Sequence, residues 1–229
     1  MIGLAMRTAI DLGLHREAHY TSLKPFQCQL RRRLFWTVYF LDRIVAVSLG
    51  RPVSIADQDI DTQMPLDLNE SIHDDNEIAQ LLARPPHLGP RETSDLTMCM
   101  GLIKLKRIES QIQSNIYRVD RSIESLFPEV APIQAQLCEW RNSMPSLTIA
   151  EDDYLLLQYN KAIRLMIQPF LNILDPQDEL IRKCLISSGQ ICQVFKRMFQ
   201  RDAYGHSFIS VHSIFIAGVT IWYAPKLTD

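Results

Sequence analysis

The amino-acid sequence predicts an all-α fold, an irregular multi-helix domain with one long acidic, proline-containing loop. Apolar residues recur at spacings of three and four along most of the 229 residues, which is the period of an amphipathic helix. Strand signals are weak, because only residues 53–55 read as extended and no run alternates over six positions. The hydrophobic fraction of 47% and the charged fraction of 22% are ordinary globular values, so we predict a single helical domain over residues 1–229.

The predicted helices begin close to the first residue. Residues 2–13 are amphipathic and no capping residue precedes them, so we expect the chain to be a fragment of a longer protein. Residues 30–49 carry a leucine and valine stripe, and aromatic residues cover much of the remaining circumference, so this helix should be buried on most sides. Further helices are expected over residues 96–123, 133–142, 152–168, 176–200 and 207–224.

The long loop is predicted over residues 62–93. It contains four prolines, and five acidic residues lie between Asp67 and Glu77. A connection of this length without its own secondary structure is uncommon in a compact domain and is often mobile.

Several classes of function are disfavoured by what the sequence lacks. The eight glycines are never closer than ten residues, so no phosphate-binding loop and no nucleophile elbow is present. The net charge of −2 argues against electrostatic capture of DNA by the chain alone. The most apolar stretch, residues 208–224, is shorter than the ~20 residues of a bilayer span, so no membrane partner is expected.

Two groups of polar residues resemble metal ligands but fail on spacing. His15 and His19 would share a helix face, yet the intervening glutamate is misplaced for a zinc-protease helix, and we expect a solvated loop. The spacing of Asp57, Asp59 and Asp61 matches the first ligands of a calcium-binding loop, but the glycine and glutamate that such a loop needs at later positions are absent. No metal site, cofactor or catalytic constellation is therefore predicted for this chain.

The three consecutive arginines Arg31, Arg32 and Arg33 suggest phosphate contacts only superficially. Successive helical residues are rotated by about 100°, so the three guanidinium groups fan around the helix instead of forming one stripe. We expect them to pair with carboxylates.

Five segments together resemble the regulatory, or middle homology, domain of fungal binuclear zinc-cluster transcription factors. Residues 5–16 read AMRTAIDLGLHR, residues 31–36 read RRRLFW, residues 41–43 read LDR, residues 49–52 read LGRP, and residues 59–65 read DIDTQMP. The order and spacing match the family's strings over residues 1–65. The residues that carry the match are Arg7, Gly13, Leu14, His15, Arg31, Arg32, Arg33, Phe35, Trp36, Asp42, Arg43, Gly50, Arg51, Pro52, Asp59, Asp61 and Pro65.

The resemblance implies an all-helical regulatory domain of a nuclear protein that controls transcription of metabolic or secondary-metabolite genes. In this family a six-cysteine zinc cluster near the N-terminus binds DNA, and residues 1–27 contain no cysteine. Zinc and DNA binding would thus belong to a missing upstream part, and no enzyme activity is expected. The implied partners of the chain itself are a small-molecule effector or proteins of the transcription machinery, with a homodimer as an open alternative.

The motif residues also have a structural interpretation. Leu34, Phe35 and Trp36 are expected to anchor the core, Gly13 suits a left-handed helix end, and residues 50–52 turn the chain. Arg7, Arg32 and Arg51 could pair with Asp11, Asp42 and Asp59.

A second hypothesis is a stand-alone helical protein that binds a small molecule without DNA. An apolar cavity with few polar groups would serve this purpose, and the last helices offer candidate walls. The side chains proposed for it are Tyr159, Met166, His212, Phe215 and Trp222, although a dry core filled by these residues is the favoured alternative.

Overall fold

The computed structural model describes residues 1–83, 93–145, 148–201 and 207–223, and within them it confirms the all-α prediction. No strand occurs in these described ranges, so residues 53–55 are not a strand. The α-helices are α1 (Ile2–Asp11), α2 (Pro25–Leu49), α3 (Asp75–Ala83), α4 (Thr97–Asn115), α5 (Ile123–Leu126), α6 (Val130–Ser143), α7 (Ile149–Ile167), α8 (Glu179–Gln200) and α9 (Phe208–Tyr223).

The structure divides into two compact units, residues 1–107 and residues 108–229, and the division falls within α4. The single domain expected over the whole chain stays a prediction. No helix among the described residues is both long enough and apolar enough to cross a membrane.

The first unit is built around α2. Proline at its first turn starts this helix at Pro25, because that position needs no amide donor. It ends as predicted at Gly50, whose φ of 59° lies in the left-handed region. Its aromatic residues Phe35, Trp36 and Tyr39 are almost completely buried and pack against α1.

The prediction that α2 is buried on most sides is wrong. Leu34, expected as a core anchor, is 54% exposed, and Leu30 and Leu41 are 56% and 41% exposed. The buried face carries polar residues beside the aromatic ones, among them Asp42 and the fully buried Arg43. The reason is that helical period alone does not say which face packs, and these polar groups find partners described below.

The long loop expected over residues 62–93 is also wrong in part, because α3 lies inside it. The Asp74 carboxylate accepts a hydrogen bond from the Glu77 amide at 2.9 Å, as a helix cap does. Asp75 accepts from the Phe26 amide at 2.8 Å, and Ile78 is fully buried. The acidic residues thus start a helix, whereas the three prolines at 85, 86 and 90 lie outside the described residues.

In the second unit α7 packs on α8, and α8 packs on α9. Thr148 and Glu151 form a reciprocal capping box that begins α7. Helix α8 begins at Glu179 with Asp178 as its cap, so the expected start at residue 176 is three residues early.

The helix expected over residues 96–123 is too long, because α4 ends at Asn115. After it, the Tyr117 hydroxyl donates to the carbonyl of Leu165 at 2.8 Å, and Val119 is fully exposed. The apolar period continues past the helix, and Ile116 is buried although it lies beyond the last helical residue.

Candidate functional site

Five of the family-motif residues, Arg32, Trp36, Asp42, Arg43 and Asp61, belong to a network around the buried face of α2, whereas Arg7, Gly50, Arg51, Pro52 and Asp59 are exposed and lie outside it. The network ties this helix to the irregular segments 13–20 and 53–66 through hydrogen-bonded charges. The motif network, as we call it, consists of Glu17, Arg32, Trp36, Tyr39, Asp42, Arg43, Ser54, Asp57, Asp61 and Gln63.

Arg43 is the centre of the network at one end of α2. Its guanidinium donates to Asp42 at 2.8 Å, to the carbonyl of Ile55 at 2.7 Å and to Asp57 at 3.1 Å. The same group lies over the ring of Tyr39, 4.0 Å from its centre. Since a buried charge is tolerated only with such partners, this arrangement holds segment 53–57 against the helix.

The carboxylates beside Arg43 make further bonds to the same segment. Asp42 accepts from the amide of Ser54 at 3.1 Å and also from its hydroxyl. Asp57 accepts from the hydroxyl of Tyr39 at 2.7 Å. Both terminal nitrogens of Arg43 thus have carboxylate partners, its buried Nε has no hydrogen-bond partner, and Asp42 pairs with Arg43 rather than with the expected Arg32.

Glu17 joins three parts of the chain at the other end of the network. One of its oxygens pairs with Arg32, and the other accepts from the amide of Gln63 at 3.0 Å. The Glu17 amide donates to Asp61 at 2.7 Å, and this bond lowers the pKa of Asp61 below its ordinary value. The carbonyl of Gln63 in turn accepts from the indole nitrogen of Trp36 at 2.9 Å.

The turn after α1 explains why glycine and leucine occur in the first motif string. Gly13 has a φ of 68°, and an added Cβ would lie 2.6 Å from the ring of His19. Leu14 is buried, and its carbonyl accepts from the hydroxyl of Tyr20 at 2.7 Å. The carbonyl of His15 accepts from two amides of segment 61–62, which hold this turn, while Arg16, Ala18 and His19 are exposed, as expected of a solvated segment.

The arginine run is spread around α2, as its spacing predicted. Arg32 is buried against Glu17, whereas Arg31 donates to the carbonyl of Leu12 at 3.0 Å. Both guanidinium groups lie over the ring of Tyr20. Arg33 makes no ion pair in the part of the chain that the structure describes.

The absence of a metal site at His15 and His19 stays a prediction. Among the described residues no three His, Cys, Asp or Glu side chains are grouped to hold an ion. Burial and the neighbouring Arg16 lower the pKa of His15 below its ordinary value.

A cleft of about 230 Å³ lies beside the network. Its floor includes Trp36, and the guanidinium of Arg107 lies 5.8 Å from that ring. The cleft is lined by Trp36, Asp57, Ile60, Asp61, Thr62, Gln63, Met64 and Arg107. It therefore offers two carboxylates, one cation and an indole to a small molecule.

The structure distributes the five expected ligand residues among different surroundings. Met166 is fully buried, whereas Phe215 and Trp222 are 64% and 65% exposed on α9. Tyr159 stacks on Trp140, and burial raises its pKa to about 12. His212 is half-buried beside the ring of Phe208. These side chains do not enclose one common space, because α9 buries its small residues, and ligand binding by them stays a prediction.

Sequence reasoning missed the partners of the motif residues. Glu17, Tyr39, Ser54 and Gln63 belong to the network, although none stood out by spacing. Their contacts bridge up to 46 positions along the chain, as between Glu17 and Gln63. One sequence signal could have indicated the network: the predicted helix carries a run of charged residues together with three aromatic residues of the core.

Comparison with known proteins agrees with the motif strings. Residues 1–142 match the family model described as fungal specific transcription factor domain. An uncharacterized transcriptional regulatory protein of Saccharomyces cerevisiae is 35% identical over 225 residues, which are 93% of this chain and 16% of that protein. The same yeast's activator of stress genes 1 is 30% identical over 75% of this chain and 17% of its own length.

A more distant relative is the positive regulator of purine utilization of Emericella nidulans, which is 24% identical over 98% of this chain and 28% of its own length. The chain thus spans about a sixth of the first two relatives and little more than a quarter of the third. No solved structure matches the chain significantly.

Proposed function

Because the chain belongs to the family of fungal specific transcription factor domains, we propose that it is the regulatory region of a longer nuclear protein that controls metabolic or secondary-metabolite genes. The observation that carries the proposal is the use of the family's motif residues as a scaffold. The side chains of Arg32, Asp42 and Arg43 all form ion pairs within the protein. None of the three is therefore available as a catalytic group that faces a substrate. We infer that the chain regulates and does not catalyse.

We assign DNA binding to a zinc cluster in another part of the parent protein. We assign no cofactor to this chain. Two of the three clustered arginines are engaged by Glu17 and by the carbonyl of Leu12. With a net charge of −2, the surface lacks the excess of free cations that neutralises phosphates. The chain should therefore act on transcription through effectors or partner proteins.

Two measurements test this assignment. Genomic DNA upstream of the codon for Met1 should encode six clustered cysteines in the same reading frame. The 229-residue chain alone should bind duplex DNA no more tightly than about 1 μM at 150 mM salt, because specific complexes are usually far tighter. An uninterrupted upstream frame without cysteines, or tight competitor-resistant DNA binding, would contradict the proposal.

A second candidate function is small-molecule binding by the chain acting alone. The cleft beside Trp36 and Arg107 favours it, since a cation, two carboxylates and an indole could hold a small polar molecule. A ligand present at 100 times its Kd stabilises the fold by about 2.7 kcal/mol. Thermal-shift screening of metabolites on wild type and on Arg107→Ala tests this: a shift that the variant abolishes supports the cleft, and no shift with any compound removes its support.

A further inference from the structure

The cleft beside Trp36 contains a positive charge that no carboxylate of the described residues neutralises. This charge is Arg107, an exposed residue of α4 that forms no ion pair in the described part of the chain. Its guanidinium lies 5.8 Å from the centre of the Trp36 ring, and this cation–π contact keeps it beside the cleft. The donors of Arg107 are therefore available to the carboxylate of a ligand.

The same cleft contains a negative charge in excess, which belongs to Asp57. Asp42 and Asp57 both pair with Arg43, so two carboxylates share one cation. Only one oxygen of Asp57, Oδ1, is used, since it accepts from Arg43 and from the hydroxyl of Tyr39. Among the described residues Oδ2 has no hydrogen-bond donor, and the side chain is 30% exposed. This oxygen can accept from an ammonium group.

The second carboxylate of the cleft is already paired. Asp61 accepts from the amide of Glu17 at one oxygen and from the side chain of Arg16 at the other. The two charges left over, on Arg107 and on Asp57, have opposite signs. A ligand with both a carboxylate and an ammonium group can pair with both of them, whereas a simple anion or a simple cation leaves one unpaired.

A buried hydroxyl of the cleft gives independent support for a polar ligand. Thr62 lines the cleft and is 5% exposed, and its Oγ1 has no hydrogen-bond partner among the described residues. The backbone amide of Thr62 donates to the carbonyl of His15 at 3.2 Å, which fixes the residue in place. Because buried polar side chains nearly always have a partner, this hydroxyl indicates that the cleft receives a hydrogen-bonding group.

The size of the cleft restricts the ligand to a small molecule. Its volume of about 230 Å³ is below the roughly 300–1,000 Å³ of sites for drug-sized ligands. At about 30 Å³ for each water molecule, it has room for roughly eight non-hydrogen atoms. Ile60 and Met64 line it together with the indole of Trp36, so a short apolar side chain also finds contacts there.

We propose that this cleft binds a small free amino acid, whose carboxylate pairs with Arg107 and whose ammonium group donates to Asp57. Thr62 supplies a further hydrogen bond, and the indole of Trp36 contacts the ligand's side chain. The inference rests on the second candidate function, small-molecule binding at this cleft, and adds the chemical class of the ligand. It does not depend on where the parent protein binds DNA.

Isothermal titration calorimetry on the whole 229-residue chain tests the class of ligand. Standard L-amino acids with short side chains are titrated first. The one that binds most tightly is then compared with the carboxylic acid that lacks its amine and with the amine that lacks its carboxylate. The amino acid should bind with a Kd below about 1 mM, and each analogue should bind at least about tenfold more weakly, because it leaves one charge of the cleft unpaired.

Variants of the chain locate the binding. Arg107→Gln should weaken the amino acid at least about tenfold, because it removes the partner of the carboxylate. Lys104→Gln is the matched control: it removes the same charge from an exposed position of α4 outside the cleft and should leave the Kd unchanged.

Thr62→Val separates binding from stability. This change keeps the shape of the side chain and removes only the unpartnered hydroxyl. It should weaken the amino acid while leaving the melting temperature of the unliganded chain equal or higher, because no hydrogen bond within the protein is lost. A purely structural role of the hydroxyl would instead lower the melting temperature.

The outcomes that contradict the proposal differ in what they leave standing. If the carboxylic acid or the amine binds as tightly as the amino acid, the cleft binds small molecules but not this class. The same holds if no amino acid binds at about 10 mM, ten times the expected Kd, while another metabolite gives a shift that Arg107→Ala abolishes. If no compound binds at all, or if Arg107→Gln leaves every Kd unchanged, the second candidate function fails together with this inference.

Discussion

Both units of this chain pack their helices through apolar side chains, but only the first adds a network of buried ion pairs around one helix. In the first unit, buried ion pairs around Arg43 and Glu17 fasten irregular segments to α2. In the second, α7, α8 and α9 meet through apolar side chains around Leu157 and Ile191, and the ion pairs of Asp153 lie at the edge of this packing. The comparison shows why the family's motif strings concentrate in residues 1–65: polar contacts demand particular residues, whereas apolar packing accepts many.

The largest effect is expected at Trp36, which contributes to both kinds of contact. Trp36→Ala removes a ring that is 2% exposed and a hydrogen bond to Gln63. Its unfolding free energy should fall by about 3–5 kcal/mol. Chemical denaturation measures this, with Trp222→Ala on the exposed surface as control. An unchanged midpoint would show that α2 is packed through another face.

Arg43→Ala should destabilise the first unit by about 3–5 kcal/mol, because it leaves Asp42 and Asp57 without their cation in a buried place. Arg182→Ala, at an exposed position of α8, should change stability by less than about 0.5 kcal/mol. Urea denaturation followed by circular dichroism compares the two. If both variants were equally stable, buried ion pairs would not be what distinguishes the first unit from the second.

Replacing a glycine by alanine should lower the stability of the first unit and raise that of the second. Gly13→Ala forces a side chain into a left-handed turn and within 2.6 Å of the His19 ring, so a loss of about 1–3 kcal/mol is expected. Gly189→Ala lies in helix α8 with open space around the new Cβ and should gain about 0.5–1 kcal/mol. Paired thermal melts decide between these signs, and a gain at both positions would refute the close turn.

The smallest expected effect is on the loss of stability at acidic pH. Bonds from Arg197 and Arg201 hold the pKa of Asp153 below its ordinary value. A carboxyl whose folded pKa is depressed contributes stability above its unfolded pKa of about 4, and that contribution is lost as the pH falls through the folded value. Asp153→Asn should therefore flatten the decline of stability below pH 4. A decline of unchanged slope would assign the acid sensitivity to other carboxyls.

The same contrast explains what could be predicted from the sequence. In the second unit, α6, α7 and α9 follow from their apolar period and begin and end within a few residues of expectation, whereas α5 was not predicted. The orientation of α2 could not be predicted, because its exposed leucines follow a helical period of their own and two partners of Arg43, Ile55 and Asp57, lie 12 and 14 positions away. Helix α3 was missed because acidic residues that cap a helix look like those of a loop.

The candidate site shows the same limit. Resemblance identified Gly13, Trp36, Asp42 and Arg43, but the pairing of Arg32 with Glu17 is set by the path of the chain between them. Residue spacing predicts which side chains are neighbours within one helix. The network joins α2 to two irregular segments, and no local sequence pattern predicts the path of their backbone.

Native-state hydrogen exchange tests most directly the claim that the motif residues fasten irregular segments to α2. The amides of Ser54, Gln63 and Leu66 lie outside any α-helix, yet they donate to Asp42, Glu17 and Gln29. All three should be protected in the wild-type chain. Glu17→Ala should release the Gln63 amide and leave amides of α8 unchanged. Exchange of these three amides in the wild type as fast as in an unfolded peptide would contradict the account.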